Sequence, residues 1–173
     1  GFTTISEGLE PGELSTLMNE FLTPLTQTIH TQRGTIDKYM GDAIMAFWGA
    51  PLPDPNHNRL ALEGAMAMLD RIEKIGDVFE AKGWPRLKLG VGLNSGEMSV
   101  GNMGSEFRRA YTVLGDAVNL GARLESLTKS YGVEILCSDS TRKGMDEWVF
   151  RDMDLVRVKG KSEPVAIFEP LGP

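Results

Sequence analysis

Two long segments of the chain carry apolar residues at helical spacing. In residues 14–29 they recur every three or four positions, at Leu14, Leu17, Met18, Phe21, Leu22, Leu25 and Ile29. The same spacing returns in residues 60–79, at Leu62, Ala65, Met66, Met68, Leu69, Ile72 and Ile75. This periodicity predicts two amphipathic helices whose apolar faces pack into a core. Pro24 lies inside the first segment and is expected to bend or interrupt that helix.

Shorter apolar runs bounded by turn residues predict strands. Residues 35–40 and 43–48 flank Gly41-Asp42, the usual pattern of a β-hairpin. Residues 87–104 have the composition of two short strands joined at Asn94-Ser95-Gly96. Further strands are predicted at 111–114 and 133–137 and in a closing hairpin formed by 148–158 and 165–168.

A third helix is predicted to begin at Gly115-Asp116 and to run to about Ser130. Residues 138–144 are expected to form a turn with a short helix. Strands that are interleaved with helices and often joined as hairpins indicate an α+β fold with a largely antiparallel sheet and helices packed on one side. No repeat or linker divides the sequence, so residues 1–173 are predicted to form one domain.

Composition and charge narrow the class of protein. The chain has 173 residues, 41% of them hydrophobic and 24% charged, and its net charge is −6. This acidic balance argues against a protein that binds nucleic acid through its phosphate backbone, so no nucleic-acid partner is expected. The one cysteine, Cys137, lies in an apolar run, which indicates a buried structural thiol and a reducing, cytoplasmic environment. No apolar run is long enough to cross a membrane.

Three polar features are candidates for chemistry. Asp42 at the predicted hairpin tip has the carboxylate oxygens that Mg²⁺ prefers, although aspartate is also common in turns for structural reasons. Asn119 and Arg123 are four residues apart on a predicted helix and share one face, which is either a site or a solvated surface. Lys159, in a turn with Lys161, either keeps the surface soluble or meets a phosphate.

Three longer sequence segments are more specific than these single residues. They are GFTTISE at the start, KYMGDAIMAFWGAP in the predicted hairpin, and YTVLGDAVNLGARLE, which leads into the third helix. In order and spacing they resemble the catalytic domain of class III nucleotidyl cyclases, above all bacterial adenylyl cyclases. The resemblance covers nearly the whole chain. It implies a ferredoxin-like βαββαβ core and the conversion of ATP to 3′,5′-cyclic AMP and pyrophosphate.

The resemblance also implies how the purine base is selected. Lys38 matches the lysine that donates to adenine N1, where guanylyl cyclases usually have glutamate. Thr112 matches the second purine selector, where many adenylyl cyclases have aspartate; threonine is typical of a bacterial subgroup, several of whose members respond to bicarbonate. A hydroxyl can accept a hydrogen bond from the adenine amino group, but it can also donate one.

The remaining roles concern ribose, phosphates and metal. By resemblance Asn119 orients the ribose, Arg123 stabilises charge on the α phosphate and Lys159 reaches the terminal phosphates. The resemblance places Phe2 and Thr3 in the turn that holds the β and γ phosphates. Asp42 is implied as one of two carboxylates for two Mg²⁺ or Mn²⁺ ions per site. The other carboxylate is expected just upstream of Gly1.

The family arrangement implies a head-to-tail homodimer, with the metal carboxylates from one subunit and Lys38, Thr112, Asn119, Arg123 and Lys159 from the other. Relatives are often joined to sensor or membrane segments, so attachment to the cytoplasmic face of a membrane is compatible with the resemblance. Two alternatives stay open. One is a guanylyl cyclase, which Lys38 disfavours, and the other is a dimeric regulatory module that binds nucleotide without turnover.

Overall fold

The structure is a computed structural model that describes residues 2–173, with only the backbone described for residues 2–4. Helices and hairpin-forming strands are interleaved along the chain, as the apolar pattern predicts. In chain order the elements are α1 (Phe2–Glu7), α2 (Pro11–Thr31), β1 (Thr35–Met40), β2 (Ala43–Phe47), α3 (His57–Ala81), β3 (Val91–Leu93), β4 (Ser99–Ser105), β5 (Arg108–Leu114), α4 (Asp116–Tyr131), β6 (Ile135–Ser138), α5 (Asp139–Arg142), β7 (Val149–Val156) and β8 (Val165–Gly172). The α+β class is confirmed.

The two long helices pack on each other through their predicted apolar faces. Leu17, Phe21 and Leu25 of α2 are buried with Met68 and Phe79 of α3 in one hydrophobic cluster. The expectation that Pro24 could interrupt the first helix is wrong, because α2 continues through it from Pro11 to Thr31. The buried face extends on both sides of the proline, and packing of this face outweighs the loss of one backbone hydrogen bond.

The predicted hairpin at Gly41-Asp42 is present. β1 and β2 pair in antiparallel fashion, with Met40 opposite Ala43, and the left-handed Gly41 (φ 61°) closes the turn. The register shifts between Ile36 and Lys38, so that Asp37 is an extra residue on β1. Such a bulge redirects side chains in the strand that carries it, which matters for the candidate site below.

Strands β3, β6, β8 and β7 form a four-stranded sheet in that order. Neighbours in this sheet are antiparallel except β3 and β6, which run parallel. Helix α4 packs on β3 and β6 and contributes Leu120 and Leu124 to a second cluster with Leu136 and Ile167. Gly92 in β3 permits this close approach, because a Cβ atom there would lie 2.9 Å from the Cα of Glu125 and nearer still to backbone atoms of α4.

The strands on either side of Asn94-Ser95-Gly96 do not form one unit. β3 belongs to the four-stranded sheet, whereas β4 pairs with β5 in a separate antiparallel hairpin. The intervening residues are instead fixed by side-chain bonds: Asn94 donates to the Ala117 carbonyl at 2.8 Å and accepts from Ser138 at 2.5 Å. The described strands therefore lie in three sheets rather than one.

The β4–β5 hairpin carries exposed apolar side chains. Phe107, at its tip, is 92% exposed, and Val100 and Leu114 on its strands are also exposed. Exposed apolar side chains in this number on one hairpin are typical of a surface that a partner covers.

Cys137 lies in β6 and is fully buried, as its apolar neighbours predict. Burial is the main cause that raises the pKa of its thiol to about 12, so the thiolate needed for nucleophilic chemistry is scarce near neutral pH. Separately, none of the helices in the described part of the chain is long and apolar enough to cross a membrane.

Candidate active site

Strands β1 and β5 meet at a buried carboxylate. Thr112 in β5 donates its hydroxyl hydrogen to Oδ2 of Asp37 at 2.6 Å, and the backbone N–H of Val113 approaches the same oxygen at 3.4 Å. The side chain of Asp37 is only 1% exposed. This contact joins two strands that are 75 residues apart in sequence.

Lys38 lies beside this junction. Its Nζ is 4.0 Å from Oδ1 of Asp37, and its side chain is 49% exposed. Neighbouring residues of a regular strand point to opposite faces of the sheet. The bulge at Asp37 breaks this alternation, so the charged groups of Asp37 and Lys38 can approach each other. The structure thus places Lys38 and Thr112, the two predicted purine selectors, around one aspartate.

Asp42 is exposed at the tip of the β1–β2 hairpin, in the Gly41-Asp42 turn. Among the described residues, Asp42 has no hydrogen-bond or ion-pair partner, and no group of three or more histidine, cysteine, aspartate or glutamate residues could hold a metal ion. A free carboxylate fits the way Mg²⁺ is commonly bound, through one or two carboxylates with phosphate oxygens and water. It does not form a complete site by itself.

Asn119 and Arg123 lie one turn apart on α4, on an exposed face beside the one that buries Leu120 and Leu124. The predicted shared face is therefore present. Arg123 also lies near Tyr131: a hydrogen bond to Asp154 is the main cause that raises the pKa of Tyr131, and the positive charge of Arg123 acts in the opposite direction. Its guanidinium makes none of the ion pairs found within the described residues, which leaves it available to an anion.

Lys159 is exposed in the turn between β7 and β8, next to Gly160 with φ 88°. No hydrogen bond or ion pair within the described part of the chain links it to Lys38, Thr112 or α4. Phe2 and Thr3 lie in α1, but their side chains fall outside the described residues. Their roles, and that of Lys159, stay predictions.

Asp37 is the residue of the site that sequence reasoning missed. In the sequence it is only an acidic neighbour of Lys38, and such pairs are common on solvated surfaces. Nothing local indicates that a bulge turns it inward toward a strand that follows 75 residues later. One signal was available: a polar residue within a half-buried strand requires a partner, and Thr112 is a hydroxyl in a similar strand.

With this geometry established, comparison with known proteins identifies the fold family. Residues 1–168 match the family described as the adenylate and guanylate cyclase catalytic domain. The chain belongs to this family. Among curated relatives, the cyclase domain is 34% identical to adenylate cyclase 1 of Rhizobium meliloti over 172 residues and 36% identical to an adenylate cyclase of Anabaena cylindrica over 177 residues.

Solved structures agree with this assignment. The adenylyl cyclase CyaB from P. aeruginosa superposes with a TM-score of 0.91 at 33% identity, covering 100% of the cyclase domain and 89% of that chain. The guanylyl cyclase Cya2 also gives a TM-score of 0.91, at 34% identity, covering 99% of the domain and 87% of that chain. The family resemblance and the cyclase fold inferred from sequence are confirmed.

The curated relatives are much longer than the cyclase domain. Its match covers 99% of the domain but 26% of the R. meliloti protein, and 98% of the domain but 34% of the A. cylindrica protein. The similarity therefore concerns their cyclase portions. An adenylyl and a guanylyl cyclase superpose on the cyclase domain with the same TM-score, so overall structural similarity does not distinguish ATP from GTP as the substrate.

Proposed function

We propose that the cyclase domain converts ATP to 3′,5′-cyclic AMP and pyrophosphate, at two equivalent sites shared between the subunits of a homodimer. The observation that carries the proposal is the grouping of Lys38 and Thr112 around Asp37. An ammonium donates to adenine N1 but meets a hydrogen-bearing N1 in guanine, so this pair favours the adenine ring. The names of the R. meliloti and A. cylindrica relatives agree with that preference.

The reaction forms a bond from the ribose 3′ oxygen to the α phosphorus and breaks the bond from that phosphorus to the oxygen bridging to pyrophosphate. The hydroxyl proton is released. Catalysis of such a step depends on positioning and on stabilising charge. Asn119 holds the ribose so that its 3′ oxygen faces the α phosphorus, and Arg123 stabilises negative charge on the α phosphate. Lys159 binds the terminal phosphates.

Asp42 would hold Mg²⁺ or Mn²⁺, together with phosphate oxygens, water and the second carboxylate that the family resemblance implies. When bound, two such ions neutralise charge on the attacking and leaving oxygens. Both metals suit carboxylate oxygens. The chain's own contribution is to hold Asp42 at the tip of a hairpin that is fixed by its antiparallel pairing.

The homodimer is supported by the exposed apolar side chains near the site. Tyr39 and Met40 on β1 are about half exposed, as is Leu114 on β5, and Phe107 is almost fully exposed. A second subunit that covers this surface would remove apolar area from water. It would also bring its own Asp42 to the Lys38 and Thr112 of the first subunit.

Product analysis tests the reaction. The full-length protein is incubated with ATP or GTP, each with Mg²⁺ or Mn²⁺, and cyclic nucleotides are separated by chromatography. Cyclic AMP should be the main product. The Asp42→Ala variant should no longer form it. The control variant Asp146→Ala, which removes another exposed turn aspartate, should form it at the wild-type rate. Lys38→Ala should lose the preference for ATP, while Lys82→Ala, a lysine of similar exposure, should keep it.

Two outcomes favour the alternatives. A higher rate with GTP than with ATP would make the protein a guanylyl cyclase, in line with its similarity to Cya2. No cyclic product from a folded, dimeric protein would favour a nucleotide-binding regulatory module.

Mixing two inactive variants tests the shared site. If Asp42 and Arg123 of different subunits form one site, a mixed dimer of Asp42→Ala and Arg123→Ala contains one intact and one doubly damaged site. Random exchange of subunits should then restore about a quarter of the wild-type activity. If each site came from a single subunit, mixing would restore nothing.

A further inference from the structure

The buried carboxylate of Asp37 has one oxygen that accepts hydrogen bonds and one that accepts none. Oδ2 accepts hydrogen bonds from the Thr112 hydroxyl and the Val113 N–H. Oδ1 is buried and has no hydrogen-bond partner among the described residues; the nearest cation, Nζ of Lys38, is 4.0 Å away. A buried carboxylate with so few partners is unfavourable for stability. Its position between the two purine selectors therefore calls for an explanation in terms of function.

The contact with Asp37 fixes which way the Thr112 hydroxyl faces. A hydroxyl has one hydrogen to donate and two lone pairs that accept, whereas an ionised carboxylate only accepts. At 2.6 Å, the single hydrogen of Thr112 is committed to Asp37. Toward any other neighbour Thr112 then presents lone pairs alone.

This constraint distinguishes the two purines. Adenine carries an amino group at C6, which donates, and guanine carries a carbonyl oxygen there, which accepts. A threonine that is free to rotate would satisfy either group. A threonine whose hydrogen is donated to Asp37 can still accept a hydrogen bond from the adenine amino group. Its oxygen lone pairs repel those of the guanine oxygen, because both atoms are then acceptors.

We propose that Asp37 is a specificity-determining positioning residue: by taking the hydroxyl hydrogen of Thr112, it makes that side chain an acceptor only and so favours ATP over GTP. This inference rests on the proposed function, in which Thr112 reads the purine base. Asp37 itself need not touch the nucleotide.

The test compares two variants of Asp37 in the full-length protein, by kcat/KM for ATP and for GTP. Asp37→Ala frees the Thr112 hydroxyl, and the ATP-to-GTP ratio should fall about tenfold, the effect of one hydrogen bond. Asp37→Asn should retain most of the ratio, because the Val113 N–H requires an acceptor at the position of Oδ2 and the amide oxygen can supply it. Both variants remove the charge beside Lys38, so their comparison isolates the hydrogen bonds that the Asp37 side chain accepts from Thr112 and Val113.

A double-mutant cycle separates this role from a general structural one. In a Thr112→Val background there is no hydroxyl to orient, and Asp37→Ala should no longer change the ratio. Glu13→Ala is a matched control: Glu13 accepts a hydrogen bond at 2.8 Å from the indole of Trp84, 71 residues away, so the variant loses a comparable long-range contact. It should keep the ATP-to-GTP ratio.

Equal ratios for Asp37→Ala and Asp37→Asn would overturn the inference, as would an effect of Asp37→Ala that persists without the Thr112 hydroxyl. If Asp37→Ala does not fold, Asp37→Val fills more of the side-chain volume with apolar atoms and carries the same expectation. A wild-type protein that makes no cyclic product overturns the proposed function and this inference with it. Cyclic AMP production with an unchanged ratio in the variants overturns this inference alone.

Discussion

Gly92→Ala is expected to destabilise the cyclase domain strongly, because β3 and α4 touch at this glycine. The new Cβ would lie 2.9 Å from the Cα of Glu125 and closer still to the Glu125 nitrogen and the Gly121 oxygen. Favourable contacts between carbon atoms need about 3.5–4.0 Å, so α4 must retreat by about 1 Å. All three obstructing atoms belong to the backbone, and no side-chain rotation can relieve the clash.

The loss in the free energy of unfolding can be estimated from overpacked cores of other proteins, where it reaches about 3 kcal/mol when the backbone has to move. With a urea slope of about 2 kcal/mol per M for a domain of this size, the unfolding midpoint should fall by about 1.5 M. Under the proposed function, activity should fall further than stability, because α4 carries Asn119 and Arg123, the residues proposed to act on the ribose and the α phosphate. A displacement of about 1 Å in positioning groups can cost about 100-fold in rate.

Urea unfolding followed by circular dichroism measures the first effect, at one fixed protein concentration because dimer formation would add to the apparent stability. Gly121→Ala is the matched control in α4: its Cβ would meet only the Asn94 Cβ, at an ordinary 3.9 Å. This control should leave the domain as stable as the wild type or up to about 1 kcal/mol more stable, through helix propensity. An unchanged midpoint in Gly92→Ala would refute the argument that backbone contact forbids a side chain at this position.

Three further predictions concern other parts of the domain. Cys137, with its pKa raised to about 12 by burial, should resist iodoacetamide at pH 8 in the folded protein and react once urea unfolds it; mass spectrometry showing rapid labelling of the folded state would contradict this. The hydrogen bond from Tyr131 to Asp154 lowers the pKa of that carboxyl and raises the pKa of the phenol, so it stabilises the fold between their ordinary values of 3.8 and 10.0. The stability difference between wild type and Tyr131→Phe should therefore shrink as the pH falls below that range or rises above it, and a difference that is flat from pH 2 to 11 would contradict the contact. Leu62→Ala, at a fully buried position beside Met145 and Trp148, should cost about 3 kcal/mol in urea unfolding, against no more than about 0.5 kcal/mol for Leu52→Ala at an exposed one.

Much of the fold was predictable because its signals are local. The β1–β2 hairpin follows from two apolar runs and a Gly-Asp turn, and α2 and α3 follow from their periodic apolar stripes. Such patterns depend on residues a few positions apart, so no knowledge of the tertiary structure is needed. The same holds for the exposed face of α4 that carries Asn119 and Arg123.

Features that depend on distant contacts were not predictable in this way. The sheet to which a strand belongs is decided by its partners, which is why β3 and β4 read as one unit in the sequence yet lie in different sheets. Pro24 weakens α2 locally, but the packing against α3 maintains the helix. The inward direction of Asp37 depends on a bulge whose position is set by the pairing of β1 with β2.

The burial of Cys137 has a practical consequence for spectroscopy. Because this cysteine is the only one in the chain and lies inside the four-stranded sheet, a second cysteine introduced at the surface would be the sole thiol open to a spin label or fluorophore. Phe107→Cys would place such a probe at the tip of the β4–β5 hairpin, where the native side chain is 92% exposed. In the proposed homodimer, the distance between one such probe on each subunit would then report the arrangement of the subunits, without first removing a native cysteine from the core.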